Sequence, residues 1–419
     1  MAVTTECRIC KSSDLENAII LGNQKNTSIF PLLKNKDKLK ASPITLLLCK
    51  NCGLVQLKET TSPDSMYKSG HYGYRSNISN TMRNHLKNYN NEIINKLNPL
   101  NEKMGNVVVD IGSNDATFLK NYDNKLRRIG VDPTGNQFKD YYDNMELLPD
   151  YFTKESFIEK FGDIKCTIIT STCCFYDLPD PVKFATDIYN LLEDDGIWTC
   201  EQSYLLTMLK TNSLDTICHE HLEYYALTQV KKIADMSNLK IIDVKFNSSN
   251  GGSFRVYFAK KESKKHNECC QLINKILQEE SRYGICDIET YTRFVDSCNI
   301  QLNKLKKQID DVGNRDDIYI YGASTKGNCI LQYCNIGPDK VRYAVERNLN
   351  KVGRCTSTGI EIISEEQMRK NPPKYMIVLP WHFRKEMIPR EKEYLEGGGK
   401  FIFYFPTFEI VSKDGIENI

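Results

Sequence analysis

The sequence predicts an α/β protein in which two doubly wound sheets follow a small cysteine-containing module. From Asn106 onward, short apolar strands alternate with helix-like segments, which is typical of parallel sheets covered by helices on both faces. A second series of the same kind begins near Ile318. With 419 residues the chain is also too long for one ordinary hydrophobic core, so two or three domains are expected.

Bulk composition excludes several classes of function. The chain is 40% hydrophobic and 26% charged, and its formal net charge of +2 gives no overall positive field for nucleic acid or an anionic membrane. Its first residues carry no secretory signal, and its most apolar runs are too short to span a bilayer. We therefore expect a cytoplasmic protein without a nucleic-acid or membrane partner, whose 16 cysteines are thiols and metal ligands rather than disulfides.

The amino-terminal module, residues 1–75, carries two close cysteine pairs but no strong periodicity. Cys7 and Cys10 form one CxxC pair, Cys49 and Cys52 form the second, and 38 residues separate the pairs. Two residues between thiolates let both reach one tetrahedral ion, so the spacing favours a structural zinc site with four thiolate ligands. A redox pair and accidental thiols are the alternatives. The lack of a βαβ pattern around either motif disfavours the redox pair.

The central part, residues 76–262, opens with a polar segment, Ser79–Leu97, whose apolar residues recur at helical spacing. Four short apolar strands follow, and ligands of open α/β sheets bind at the carboxyl ends of such strands. The predicted strands are Val107–Ile111, Arg128–Val131, Thr167–Ser171 and Ile197–Cys200.

The turn after the first of these strands is the clearest cofactor motif. Gly112 there lets the backbone approach a ligand closely, and a carboxylate at the end of the second strand can accept both hydroxyls of an adenosine ribose. Because the dinucleotide fingerprint GxGxxG is missing, the pattern favours S-adenosylmethionine. An ordinary α/β turn with surface acids is the alternative. The predicted cofactor-binding residues are Asp110, Gly112, Asn114, Asp115, Asp132 and Pro133.

The third part, residues 263–419, begins with a charged segment, Glu262–Asp311, that has no strand signal and is predicted to be a helical connection. Ser324 and Lys326 stand in a small-residue turn between a strand and a helix start, where backbone amides and a cation suit a diphosphate. The residue order excludes a Walker loop, and an ordinary βα turn is the alternative. Strands are predicted at Ile318–Tyr321, Val341–Val345, Tyr375–Leu379 and Phe401–Tyr404.

Two of the six histidines fall in the run His219-Glu220-His221. A histidine beside a carboxylate is a standard acid–base arrangement, because the carboxylate orients the ring and supports its charge. A metal-binding pair and structurally hydrogen-bonded histidines are the alternatives.

Together these motifs resemble those of sugar C-methyltransferases acting on nucleotide-linked 4-keto-deoxysugars, such as the enzymes for tetronitrose and mycarose. The resemblance runs over nearly the whole chain. Each motif is weak alone, but their shared order is specific. Beyond the CxxC…CxxCG module the motifs are Tyr72-Gly73-Tyr74-Arg75-Ser76, Asp110–Asp115, Gly130–Pro133, His219–His221, Gly251–Arg255 and Gly322–Gly327.

The resemblance implies a zinc module, a central class I methyltransferase domain of Rossmann-like fold that binds S-adenosylmethionine, and a carboxyl-terminal Rossmann-like domain that helps to hold the nucleotide sugar. It also implies that His221 is the general base. Two departures stand out: Cys218 replaces a tyrosine common in the family, and Ala116 replaces the usual glycine of the cofactor loop. The expected catalytic residues are His221, Glu220, His219, Tyr72 and Tyr74, and the expected substrate-binding residues are Ser324, Lys326 and Arg255.

The implied reaction removes a proton from the carbon beside the ketone, C-3, and transfers a methyl group to the resulting enolate. The expected substrate is a dTDP-, GDP- or UDP-linked 4-keto-6-deoxysugar, and the expected assembly is a monomer or a weak dimer. A sugar O-methyltransferase, a zinc-containing binding protein with a vestigial methyltransferase fold and a nicotinamide oxidoreductase are the alternatives. The missing GxGxxG disfavours the last of these.

Overall fold

The computed structural model describes residues 2–68, 74–98, 100 and 105–418, so Tyr72 lies outside the described ranges. Within them the chain has the three-part α/β architecture that the sequence predicts: a four-cysteine module, a central Rossmann-like sheet and a carboxyl-terminal mixed sheet. Across the described ranges, every helix is too short or too polar to serve as a membrane span.

The amino-terminal module folds around a long antiparallel hairpin that its sequence did not reveal. Two register shifts in the first hairpin strand and a fully buried run in the second, Ile44–Cys49, remove the simple alternation that marks a strand in sequence. Ser79 caps the following helix, as its side chain accepts a hydrogen bond from the Met82 amide. That helix continues as a π-helical turn to Leu97, which confirms the predicted helical segment. The elements are β1 (Ala2–Val3), β2 (Leu15–Lys25), β3 (Ala41–Cys49), β4 (Val55–Leu57), β5 (Glu59–Thr60), α1 (Pro63–Tyr67) and α2 (Asn80–Glu92).

The central domain contains all four predicted strands, and three of them extend beyond the predicted bounds. It also contains three sheet strands that the sequence analysis did not predict, at Glu146–Leu148, Leu239–Asn247 and Ser253–Lys260. The elements are β6 (Val107–Ile111), β7 (Arg127–Val131), α3 (Gly135–Phe138), β8 (Glu146–Leu148), α4 (Lys154–Phe161), β9 (Cys166–Thr172), α5 (Pro181–Leu191), β10 (Leu192–Ser203), α6 (Leu205–Lys210), β11 (Glu223–Tyr224), α7 (Leu227–Met236), β12 (Leu239–Asn247) and β13 (Ser253–Lys260).

Seven of these strands form one sheet in the order β12-β13-β10-β9-β6-β7-β8, in which β13 runs antiparallel to both neighbours. The parallel strands β6, β7, β9 and β10 end at one edge. The short strand β11 leaves this sheet and pairs with β4, extending the amino-terminal sheet to β11-β4-β3-β2. The chain just after the histidine motif is therefore part of the amino-terminal sheet.

The carboxyl-terminal part begins with two helices, which confirms the predicted helical segment. Its sheet has the order β16-β15-β14-β17-β18-β19-β20, with an antiparallel hairpin at one side. The elements are α8 (Cys270–Tyr283), α9 (Ile288–Val312), β14 (Ile318–Tyr321), α10 (Thr325–Tyr333), β15 (Ala344–Glu346), β16 (Ile362–Ser364), α11 (Glu365–Lys370), β17 (Tyr375–Val378), α12 (Arg384–Arg390), α13 (Lys392–Glu396), β18 (Lys400–Phe403), β19 (Glu409–Ser412) and β20 (Gly415–Asn418).

Buried apolar residues of all three parts belong to one continuous cluster, to which Leu54, Val109 and Ile320 each contribute. Burying apolar surface across module boundaries removes it from water and stabilises the contact between modules. The modules are thus packed on one another around the histidine motif.

Candidate active site

Strand β6 carries a buried carboxylate and a sharp turn to the carboxyl edge of the central sheet. Asp110 is buried, and its Oδ1 accepts a 2.6 Å hydrogen bond from the Thr170 hydroxyl on β9. Burial raises the pKa of Asp110 to about 7, although the Thr170 hydrogen bond opposes the shift. Gly112 follows with φ +75°, a conformation that favours glycine. The turn brings main-chain amides to the edge where open α/β sheets bind ligands.

Asp132 stands at the end of the neighbouring strand, β7, and organises the same edge. Its Oδ2 accepts a 2.7 Å hydrogen bond from the Asn114 amide, and its Oδ1 accepts one of 2.7 Å from the Thr134 amide. Burial raises the pKa of Asp132, and these hydrogen bonds oppose the shift. Pro133 follows directly. Each carboxylate oxygen has further lone pairs, so Asp132 can hold the loop and still accept ribose hydroxyls.

Asn114 and Asp115 hold a segment of chain over the cofactor turn. The Ser76 amide donates to Asn114 Oδ1 at 3.1 Å, and Arg75 Nε lies 3.1 Å from Asp115 Oδ2. This segment carries Tyr74, whose side chain is about half exposed. The two residues therefore fasten the Tyr74 segment to the cofactor loop, and a direct cofactor contact by either stays a prediction.

The residues at this edge suit S-adenosylmethionine. Two buried carboxylates, Asp110 and Asp132, match ribose hydroxyls and a cationic sulfonium nucleoside, whereas a pyrophosphate calls for a glycine-rich cradle of amides. The sharp turn at Gly112, with its positive φ, would let the main chain approach a ligand closely at this position.

His221 follows the central sheet and is held by the main chain. Its Nδ1 lies 2.7 Å from the Thr216 carbonyl oxygen, which can only accept, so Nδ1 carries the proton and Nε2 keeps its lone pair. The Tyr176 ring packs on the imidazole with centroids 4.3 Å apart. Burial, together with the positive charge of Lys326, lowers the pKa of His221 to about 4. The imidazole is neutral at physiological pH and presents a basic nitrogen.

Lys326 reaches this loop from the carboxyl-terminal domain. Its Nζ donates to the Asn250 carbonyl at 2.6 Å and to the Thr216 hydroxyl at 3.3 Å. Ser324 instead caps helix α10, with its Oγ accepting a 3.0 Å bond from the Gly327 amide. The structure thus sets Lys326 beside the histidine loop, and the predicted diphosphate contact of both residues stays a prediction.

The other two residues of the histidine motif contact the amino-terminal module. His219 Nε2 lies 2.9 Å from the Ser42 hydroxyl of β3, and burial lowers the pKa of His219. Burial raises the pKa of Glu220, and a hydrogen bond from the Ser28 hydroxyl opposes this shift. Cys218, the departure from the family pattern, is buried. His219 and Glu220 therefore tie the loop to the module, while His221 contacts the central domain.

The four predicted zinc ligands converge. The Sγ atoms of Cys7, Cys10, Cys49 and Cys52 all lie within 4.8 Å of one another, with Cys7–Cys52 at 3.4 Å and Cys10–Cys49 at 3.6 Å. Zinc–sulfur bonds of about 2.3 Å in a tetrahedron place sulfurs roughly 3.8 Å apart. The cluster therefore fits a closed four-thiolate zinc site.

Arg8, inside the first CxxC pair, connects this cluster to the histidine loop. Its Nη1 donates to the carbonyls of Leu57 at 2.9 Å and Leu222 at 3.4 Å, and its Nε lies 3.4 Å from Glu223 Oε1. The side chains of Arg8 and Glu223 are both buried. The strand that directly follows His221 is therefore fixed by the zinc module.

Comparison with known families agrees with this geometry. Residues 7–67 match a family described as a zinc binding domain, residues 82–244 a methyltransferase domain, and residues 248–406 a C-methyltransferase C-terminal domain. These three matches follow one another along the chain, and they support an S-adenosylmethionine-dependent methyltransferase with a zinc-binding domain.

One relative matches the chain over nearly its whole length. C-methyltransferase NovU from Streptomyces niveus is 28% identical over 421 residues, which cover 98% of this chain and 97% of that protein. Two solved structures resemble part of the methyltransferase: an S-adenosylmethionine-dependent methyltransferase from Clostridium acetobutylicum, and the N-methyltransferase NodS from Bradyrhizobium japonicum with S-adenosyl-L-homocysteine. The first has a TM-score of 0.33 and 11% sequence identity, and the match covers 42% of this chain and 92% of the other. The second has a TM-score of 0.32 and 10% sequence identity, and the match covers 44% of this chain and 89% of the other. No functional conclusion follows from likenesses this slight.

Arg255 of the methyltransferase lies on β13 within a buried ion-pair network. Its Nε donates to Glu201 Oε2 at 2.8 Å, its Nη1 donates to Glu92 Oε2 at 2.8 Å, and its guanidinium stacks 3.3 Å from the centre of the Tyr89 ring. His85 also bonds to Glu201. These contacts give Arg255 a role in joining α2 to the sheet, and its predicted contact with substrate stays a prediction.

Three contacts of the methyltransferase site were missed in the sequence. Thr216 and Asn250 act largely through main-chain carbonyls, which carry no side-chain signal. Asn250 has φ +53° and precedes two glycines, a pattern that indicates a tight turn although it does not name a partner. Arg8 could have been noticed as a basic residue inside a metal knuckle.

Proposed function

We propose that the protein transfers the methyl group of S-adenosylmethionine to C-3 of a nucleotide-linked 4-keto-6-deoxysugar. The observation that carries the proposal is the neutral, main-chain-fixed imidazole of His221 in a chain whose carboxyl-terminal part matches a C-methyltransferase domain. A carbon nucleophile requires a base for a hydrogen beside a carbonyl, and His221 Nε2 has the protonation state for that step.

In the proposed reaction His221 Nε2 takes the proton from the carbon beside the ketone, and the C–H electron pair moves into an enolate. The bound S-adenosylmethionine supplies an electrophilic methyl on sulfur. The Thr216 carbonyl stabilises the imidazolium that forms, because it accepts the Nδ1–H bond throughout. The chain otherwise contributes by holding the reacting carbon in line with the methyl group.

Tyr74 is proposed to close over the sugar, and the start of α10 with Ser324 to lie beside its diphosphate, while the predicted role of Tyr72 stays a prediction. Tyr74 supports this proposal, because the cofactor loop holds its segment and its side chain is about half exposed. A dTDP-, GDP- or UDP-linked sugar would meet this arrangement equally well.

The test measures the proton-transfer step alone, without methyl transfer. Enzyme, S-adenosylhomocysteine and each of a panel of nucleotide 4-keto-6-deoxysugars are incubated in deuterium oxide, and the hydrogens beside the ketone are followed by NMR. Wild type should exchange one of them. His221→Asn should exchange about 10²–10⁴-fold more slowly, the usual worth of a positioned acid–base group.

His266→Asn is the matched control, because His266 is also held by a main-chain carbonyl, that of Asp195 at 3.2 Å, away from the cofactor edge. It should exchange like wild type. Methylation of a sugar hydroxyl without carbon–hydrogen exchange would identify an O-methyltransferase and refute the proposal.

A further inference from the structure

Lys326 occupies a place in helix α10 where a cation is unfavourable. Ser324 is the N-cap, so Lys326 is the second residue of the helix, next to the positive end of its dipole. Residues that break such a local rule are concentrated at functional sites. The position therefore suggests that the charge serves something outside the helix.

The ammonium of Lys326 is held against Thr216, the residue whose carbonyl also holds His221. Nζ donates to the Asn250 carbonyl and to the Thr216 hydroxyl, and the carbonyl of the same Thr216 accepts the Nδ1 proton of His221. Thr216 thus connects the cation of one domain to the imidazole of another. In the described part of the chain these two hydrogen bonds engage two of the three N–H groups of Lys326, which leaves one for a ligand.

A partly buried cation beside a general base weakens that base unless negative charge develops next to it. The hydrogen beside a ketone is a much weaker acid than an imidazolium, so proton transfer to His221 also needs stabilisation of the enolate oxygen. A fixed ammonium in a site sheltered from water supplies that stabilisation without reorganising during the reaction. Its repulsion also drives the imidazolium to lose its proton to solvent before the next turnover.

We infer that Lys326 is a catalytic residue whose ammonium binds the ketone oxygen of the sugar and stabilises the enolate. The inference rests on the proposed function. When the C–H bond breaks, its proton passes to His221 Nε2, its electron pair forms the carbon–carbon double bond, and the carbonyl π pair moves to the oxygen beside Lys326. When the carbon takes the methyl group, the C–S bond pair goes to sulfur and the ketone forms again.

The competing role for Lys326 is the diphosphate contact, and the two roles differ in what they change. An enolate stabiliser is needed for carbon–hydrogen exchange, whereas a diphosphate ligand is needed for affinity. Lys326→Met removes the charge and keeps the length of the side chain. Lys326→Arg keeps the charge, and Lys340→Met, at an exposed ion pair with Asp310, is the control for losing one lysine of this domain.

The experiment measures two quantities for each variant: deuterium exchange beside the ketone with S-adenosylhomocysteine present, and the affinity for the unreacted nucleotide sugar by calorimetry. We expect Lys326→Met to slow exchange by about 10²–10³-fold, the usual effect of removing one oxyanion donor, with affinity changed only a few-fold. Lys326→Arg should recover part of the exchange rate, and Lys340→Met should equal wild type. Lys326→Gln repeats the test if the methionine variant does not fold.

Normal exchange with weakened sugar-nucleotide binding in Lys326→Met would overturn the inference and assign Lys326 to the diphosphate. An arginine variant that binds both ligands but exchanges no faster than the methionine variant would overturn it as well. If the wild type exchanges no hydrogen beside the ketone in any of the keto-sugars, the proposed function is refuted, and the inference fails with it.

Discussion

At the scale of single residues, the protonation state of His221 decides what the site can do. An ordinary histidine would be partly protonated at pH 6, but burial and the charge of Lys326 lower the pKa of His221 to about 4. The rings of Tyr176 and Tyr224 also pack near the imidazole. The base is therefore available over a wider pH range than the residue type alone indicates.

The pH dependence of the reaction follows from this shift. We expect the acid limb of kcat/KM to lie below pH 6.5, toward pH 4, because His221 binds a proton only there. Lys326→Met should move any residual limb to higher pH, since one cause of the low pKa is gone. An acid limb at or above 6.5 in wild type would contradict the assignment of His221 as base.

Stability should respond in the same direction. The unfolded chain binds a proton at His221 near pH 6.5 and the folded chain only near pH 4, so the contribution of His221 is fully present above 6.5 and is lost as the pH falls through this window. His221→Asn should therefore flatten the loss of stability between these values in urea denaturation. An unchanged pH profile would show that the ring is not buried in its neutral form.

Asp132 gives a second prediction at this scale. Asp132→Ala should weaken S-adenosylhomocysteine binding by about 1.5–3 kcal/mol, the usual cost of losing a charged hydrogen-bond partner. Because Asp132 also accepts from the Asn114 and Thr134 amides, part of this loss could arise from the loop. Thr134→Val removes a loop hydroxyl that donates to Asp132 and keeps the carboxylate. Equal losses in both variants, measured by calorimetry, would refute a ribose contact.

At the scale of elements, what the sequence predicted depended on how local the signal was. Val107–Ile111 and Ile318–Tyr321 were predicted with their observed bounds, because each is a largely apolar run directly before a glycine turn. The two-residue strand β11 could not be predicted, because it exists only by pairing with β4, more than 160 residues earlier. The site divides in the same way: cysteine spacing predicted the four-sulfur cluster, while the Thr216 contacts depend on how the modules pack.

Strand β11 is held by Arg8, which leads to a prediction about that element. Arg8→Met should lower the free energy of unfolding by about 2–4 kcal/mol, because it removes the buried hydrogen bonds from Arg8 to the Leu57 and Leu222 carbonyls and leaves Glu223 buried without its neighbour. It should also slow carbon–hydrogen exchange, since β11 directly follows His221. Lys50→Met breaks the half-exposed pair with Glu16 in the same module and should cost less than about 1 kcal/mol.

A double variant isolates the pair. Burial raises the pKa of Glu223 well above its usual value, and Arg8 opposes this shift. Arg8→Met with Glu223→Gln should therefore recover part of the stability lost at high pH, because the amide cannot ionise in the buried site. The measurement is urea denaturation of wild type, Arg8→Met, Glu223→Gln and the double variant. If Arg8→Met is as mild as Lys50→Met, β11 does not depend on the arginine.

The turn after β6 explains one departure from the family pattern and gives a further prediction. Ala116 is buried and has φ +59°, a region that costs a residue with a side chain roughly 1–2 kcal/mol. Ala116→Gly should therefore raise the free energy of unfolding by about 1 kcal/mol. Ala185→Gly, in the middle of α5, should lower it by at least about 1 kcal/mol. Effects of equal sign would show that φ at residue 116 is not positive.

At the scale of the whole molecule, the zinc module contacts both other parts. The Cys52 carbonyl accepts a 3.1 Å bond from Gln229 Nε2 of α7. A side chain at Gly53 would collide with the Cys286 thiol between α8 and α9. Together with the pairing of β11 and β4, these contacts pack the zinc module against the histidine loop and hold the loop in place.

Removing the metal should therefore loosen the catalytic loop before the distant sheet. Purified protein should contain about one zinc per chain, and a chelator should increase backbone hydrogen exchange at residues 222–226, with little change at the β18–β20 hairpin. Cys49→Ser should give the same pattern with zinc in excess. Cys334→Ser, at a buried cysteine outside the cluster, should keep its zinc and its exchange pattern. A metal-free protein that still protects residues 222–226 as zinc-loaded protein does would show that the cysteines hold the loop without an ion. The zinc assignment would then fail even though the four thiols converge.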